Sequence, residues 1–113
     1  MLIINKFMYA VRGLYSAFKM EKSFILHFAI EIPCIILGFI LKINSTEWLI
    51  LLLTISSLLT AELFNTSIEF LAKSNNRKYN ELVEILLNIS SGAVLVSIIF
   101  GVVIGIIIFS PYF

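Results

Sequence analysis

The run WLILLLTISSLLTAELFNTSIEFL, residues 48–71, decides the fold. Its first fourteen residues carry no charge, and then Glu62, Asn65 and Glu69 follow at i, i+3 and i+7. A period of 3.6 residues brings those three to one face of a helix. The run is long enough to cross a hydrocarbon layer of about 30 Å, which takes about 20 helical residues. An acid inside that layer costs about 2.5–3.5 kcal/mol on the insertion scale for Asp, so two of them in one span require a reason.

Two further runs flank it. Phe24–Leu41 is interrupted by His27, Glu31 and Pro33, and Ile85–Phe109 carries no charge. A chain of 113 residues that is 60% hydrophobic and 13% charged, with a mean hydropathy of +1.06, is too apolar for a soluble domain of that size. A bilayer can solvate such a surface. Lipid forbids open sheet edges and the runs lack barrel alternation, so an all-α integral membrane protein with spans at 24–41, 48–71 and 85–109 is expected, as one domain over residues 1–113. The net charge of +1 gives no footprint for nucleic acid. The single cysteine, Cys34, excludes an internal disulfide and reads as a small packed hydrophobe.

Residues 1–22 lack the uninterrupted apolar centre of a cleaved signal peptide. Phe7, Ala10, Leu14, Ala17 and Phe18 recur at helical spacing among Lys6, Arg12, Lys19 and Lys22, which predicts an amphipathic helix lying in the interface. That helix is a plain anchor, or it presents Glu21 to the same pocket as the motif. Four basic residues precede the first span, Lys42 lies in the first loop, Lys73, Arg77 and Lys78 lie in the second, and none follows the third. The positive-inside rule then puts the N-terminus and the 72–84 loop in the cytoplasm, with the C-terminus outside. Trp48 and Tyr79 are candidate interface anchors. Gly101 and Gly105 form a G-x-x-x-G that permits close helix approach. His27 and Glu31 are expected to be helix contacts, Glu31 between copies of the chain, and Pro33 is expected to bend its span.

This topology gathers Glu62, Asn65 and Glu69, with Asn88 and Ser91 of the third span and Glu21, near the cytoplasmic boundary. Groups of this kind face a cavity or one another rather than lipid. Carboxylates with an amide between them can hold a hard cation such as Mg²⁺, or poise one acid as a general base. They can equally join helices by hydrogen bonds, and spacing leaves both readings open. One subunit offers few helices with which to enclose them, so partner helices are expected to complete the pocket.

The stretch ELFNTSIE, Glu62–Glu69, resembles the Glu-Leu-x-Asn-Thr-x-Ile-Glu signature of the prokaryotic diacylglycerol kinase family, which includes undecaprenol kinases. FMYAVRGLYSAFKMEKSFILH, STEW (Ser45–Trp48) and SGAVLV (Ser91–Val96) resemble other stretches of that family in the same order. The resemblance implies a homotrimeric bundle of three-span subunits with amphipathic surface helices. It also implies active sites at the cytoplasmic interface between subunits and transfer of the ATP γ-phosphoryl group to a lipid alcohol, diacylglycerol or undecaprenol. Carried over position by position, it makes Glu62 the general base and Glu21 and Glu69 the Mg²⁺ ligands. Asn65 supports the site and Asn88 lies on its nucleotide side. The expected location is the bacterial cytoplasmic (inner) membrane.

Four positions depart from the family pattern. Lys73 stands where an Asp is usual, Leu87-Asn88 where Lys-Asp is usual, and Ile25 replaces a basic residue. The absent Lys would have faced phosphate, which Asn88 meets without charge. A catalytically weakened or inactive member of the same fold is therefore the alternative. A small multidrug-type transporter is a more distant one, since transporters bind near the midplane whereas these acids cluster at one leaflet.

The expected orientation has a direct check. With Cys34→Ser as background, cysteines placed at Asn44 and at Asn76 should be labelled by an impermeant thiol reagent from opposite sides. Labelling of both from one side would refute the assignment.

Overall fold

The computed structural model describes residues 2–74 and 81–113. The described residues form helices α1 (Ile3–Met20), α2 (Ser23–Leu41), α3 (Ser45–Ser74) and α4 (Glu81–Phe109), followed by a 3₁₀ turn, Ser110–Tyr112. Three helices, beginning at Ser23, Ser45 and Glu81, are long and apolar enough to cross a membrane. All-helical architecture and the three candidate spans thus agree with the sequence reading, with ends that reach further. At 1.5 Å per residue, the 30 residues of α3 extend about 45 Å, well past a hydrocarbon layer of about 30 Å. Arg77, Lys78 and Tyr79, invoked above for the second loop, lie outside the described residues.

The ends of the helices follow local chemistry. α2 closes in a Schellman motif: Ile43 N–H donates to Gly38 O at 3.2 Å and Lys42 N–H to Phe39 O at 3.3 Å. Lys42 occupies the left-handed region at φ 53°, which a non-glycine residue adopts at a cost of about 1–2 kcal/mol. Asn44 then opens α3 with a capping box. Its Oδ1 accepts from Glu47 N–H at 2.9 Å, and its own N–H donates to Glu47 Oε1 at 3.0 Å. The Tyr112 hydroxyl donates to the same Glu47 oxygen, which ties the C-terminal turn to the start of α3. α2 runs unbroken through Pro33.

The apolar core lies at this end of the bundle, where Ile43, Leu51, Ile108 and Phe109 are buried and Cys34 and Trp48 pack around them. Trp48, a candidate interface anchor, lies over Gly38, with its ring 4.8 Å from that of Phe39. Farther along, α3 and α4 approach closely at Gly101, where an added Cβ would lie 3.3 Å from Leu58. An added Cβ at Gly105, the other half of the G-x-x-x-G, would meet nothing within 4 Å among the described residues. α1 is joined to α2 through Phe18, whose ring meets Phe24 at 5.0 Å and Phe28 at 5.3 Å edge-on. Most of its other apolar side chains, Phe7 and Leu14 among them, are exposed.

The close packing at Gly38 generates a prediction. A Cβ there would stand 2.9 Å from the Trp48 ring, which Phe39 and Ile43 hold in place. Gly38→Val should cost about 1–3 kcal/mol by overpacking, read as earlier unfolding in mixed micelles. Unchanged stability would mean that the ring is free to move aside.

Candidate functional site

The polar side chains collect at the other end of the long helices. From Ser45 the helical rise puts Glu62 about 26 Å along α3 and Glu69 about 36 Å along it. If Ser45 marks one boundary of a layer about 30 Å thick, Glu62 lies just inside the opposite boundary and Glu69 just beyond it. On that placement the i, i+3, i+7 stripe would span the change from lipid to water.

Each acid of the stripe has partners. Glu62 is 4% exposed. Its Oε1 accepts a hydrogen bond from the Ser23 hydroxyl at the start of α2, and its Oε2 lies 3.5 Å from His27 Nε2. His27 Nδ1 lies 3.3 Å from Glu31 Oε2, one turn further along α2. On the neighbouring stretch, Asn65 donates through Nδ2 to Glu69 Oε1 at 2.7 Å. Asn65 Oδ1 accepts from the buried Ser90 hydroxyl of α4 at 2.6 Å. The carboxamide thus joins α4 to Glu69, while Ser23 and His27 join α2 to Glu62. Thr66, 2% exposed, has no hydrogen-bond partner for its hydroxyl among the described residues.

Several sequence expectations meet this geometry differently. Glu62 and Asn65 are buried within a single chain, so the argument that one subunit cannot enclose them does not hold; Glu69 alone of the stripe stays partly open. Helical spacing nominated Asn88 and Ser91 on α4, yet both are exposed and Ser90 makes the contact with Asn65. Glu21 sits half-buried at the turn between α1 and α2, where its N–H caps α1 by donating to Ala17 O. Glu31, expected between copies, is 3% exposed inside the chain. Ser23 and Ser90 were missed because a serine has no distinctive period. Their only signal was a small hydroxyl at the start of each span, level with the acids.

Among the described residues no three His, Cys, Asp or Glu side chains converge as a closed metal centre. The oxygen donors present still suit Mg²⁺, which is held through one or two carboxylates together with phosphate and water. Glu69, partly open and bonded through one oxygen to Asn65, and Glu21, at the helix turn, have the required chemistry. Glu62 is already engaged by Ser23 and His27, which fits a proton acceptor better than a metal ligand. Beside His27 and Glu31 begins an apolar cavity of about 510 Å³, walled by α2, α3 and α4 and reaching Phe109 and Phe113.

Comparison with known proteins completes the description. The family described as prokaryotic diacylglycerol kinase matches residues 8–109. The undecaprenol kinase of Bacillus subtilis (strain 168) is 31% identical over 107 residues, covering 95% of this chain and 87% of that protein.

Proposed function

Because this chain belongs to the prokaryotic diacylglycerol kinase family, we propose that it transfers the γ-phosphoryl group of ATP to the hydroxyl of a membrane lipid alcohol. Membership supports a membrane lipid kinase. The acceptor, the nucleotide and the residue roles are our reading of the site. The single observation that carries this reading is Glu62: a buried carboxylate on a membrane-length helix, oriented by Ser23 and His27.

In this reaction Glu62 takes the proton of the lipid hydroxyl as its oxygen attacks the γ-phosphorus and the bond to ADP breaks. Positioning and charge neutralisation supply most of the catalysis in phosphoryl transfer. Ser23 and His27 fix the carboxylate, and burial keeps water from competing with the lipid hydroxyl. Asn65, held by Ser90, fixes Glu69 from the side. Glu69 and Glu21 would hold Mg²⁺, which supplies neutralisation of phosphate charge when bound. Asn88, exposed on α4, is available to nucleotide, and Lys73, exposed near the end of α3, offers a cation in place of the absent Lys at Leu87.

The apolar cavity leading away from His27 has room for part of a hydrocarbon tail, which suits an acceptor whose hydroxyl sits at the boundary and whose chain stays in lipid. Undecaprenol is the acceptor to try first, given the kinase of that name among the relatives, with diacylglycerol alongside. We further propose that α1 lies in the cytoplasmic interface, with its exposed Phe7 and Leu14 in lipid and Lys6 and Arg12 toward the headgroups. The broad exposed apolar faces of the spans leave surface for a homotrimer, as the family resemblance implies. Crosslinking in mild detergent should plateau at three subunits; a stable, active monomer would refute the trimer.

The decisive experiment measures phosphate transfer from labelled ATP to each lipid in detergent. Glu62→Gln should leave Mg²⁺-ATP binding nearly intact and lower kcat by about 10²-fold or more, because the shape survives and the proton acceptor does not. Glu69→Gln should weaken Mg²⁺-ATP binding, with partial rescue by added Mg²⁺. Transfer to neither lipid by the parent would favour the inactive-member reading. In that case Leu87→Lys with Asn88→Asp should restore nucleotide binding. Unchanged turnover in Glu62→Gln would leave the motif as helix glue.

A further inference from the structure

Glu31 lies outside the family signature and deep in the first span, where an acid costs as much as those of the motif. It is 3% exposed, and its Oε2 lies 3.3 Å from His27 Nδ1. The other ring nitrogen, Nε2, lies 3.5 Å from Glu62 Oε2. With Glu31 ionised, its oxygen can only accept, and Nδ1 then carries the proton between them. The 3.5 Å contact with Glu62 then sets Nε2 against a carboxylate oxygen, and a proton between them would make it a charge-assisted pair. That proton sits either on the imidazole or on Glu62. Only the first arrangement leaves Glu62 able to accept from a substrate.

We propose that Glu31 is a positioning residue for phosphoryl transfer: by binding Nδ1–H of His27 it turns Nε2 toward Glu62 and keeps the shared proton on the imidazole. Glu62 thereby meets the lipid hydroxyl as a carboxylate. The inference rests on Glu62 being the base. The charged groups facing His27 among the described residues are Glu31 on its own helix and Glu62 on α3. Cys34 follows Glu31 one turn along α2, the Phe24 ring lies 6.4 Å from the imidazole, and α1 contributes Phe18 against Phe24 and Phe28. Negative charge on the Glu31 side stabilises a cationic ring more than it stabilises a proton on Glu62, because Glu31 is nearer the ring than it is to Glu62. This is the orienting role that a third group plays behind a base in other proton-transfer sites.

The chain contains one histidine, so nitrogen NMR of the full-length protein reads this ring without ambiguity. In the parent both ring nitrogens should carry a proton. In Glu31→Gln, which keeps size and removes charge, the ring should become neutral and kcat should fall about tenfold or more, part of the 10²–10⁴ that a positioned base supplies. KM for ATP should stay within about twofold, since nothing on the nucleotide side is touched. A neutral ring in the parent overturns the proposal without any variant. So does a Glu31→Gln protein that keeps the cationic ring or full kcat. A parent inactive toward both lipids would refute the kinase reading itself, whereas an active parent with an insensitive Glu31→Gln would refute this inference alone.

Discussion

The structure depends on one constraint: a carboxylate in lipid must find hydrogen-bond partners inside the protein. Glu62 finds them in Ser23 and His27, and Glu31 in His27 through Oε2, while Glu31 Oε1 is buried without a partner among the described residues. The magnitudes show what this arrangement is for. Hydrogen bonds between membrane helices contribute on average about 0.6 kcal/mol each, whereas a buried acid costs on the order of 3 kcal/mol. The few bonds of the network do not offset the acids they serve. A bundle selected for stability alone would carry leucine at these positions, so the acids are better explained by chemistry than by folding.

This constraint divides the bundle into two ends. Around the turn between α2 and α3, stability comes from apolar packing over Gly38 and from caps that satisfy the exposed backbone groups. At the other end, helix contacts pass through hydroxyls, a carboxamide and an imidazole. α3 joins the two regimes. Along it Glu62 is sheltered among the helices while Glu69, two turns on, is partly open.

Much of this was legible in the sequence. The three apolar runs gave the spans to within a few residues, because a bilayer demands uninterrupted length and the chain supplies it. The stripe of Glu62, Asn65 and Glu69 was legible from helical spacing, because all three sit on one helix. Contacts between helices were not. Spacing on α4 could not tell which face turns toward α3, so Asn88 and Ser91 were nominated where Ser90 makes the contact. Enclosure of Glu62 by the first span was hidden for the same reason: Ser23 and His27 reach it across 39 and 35 positions of sequence, and no local pattern records such a pairing. The capping box at Asn44–Glu47 extended α3 beyond the apolar run, since a helix begins where its first amides are satisfied rather than where hydrophobicity starts.

The bond from Tyr112 to Glu47 has a mechanical consequence. It clasps the C-terminal turn to the start of α3, while the Schellman turn binds α2 to that same point. The long helices are thus joined at one end like the prongs of a tuning fork. Displacements grow with distance from the joint, and the hydrogen bonds of Glu62 and Asn65 cross-link the prongs about 26–30 Å from it. Those links are buried and hold the prongs together there, while the part of α3 beyond them, with the partly open Glu69, is left to meet an incoming substrate.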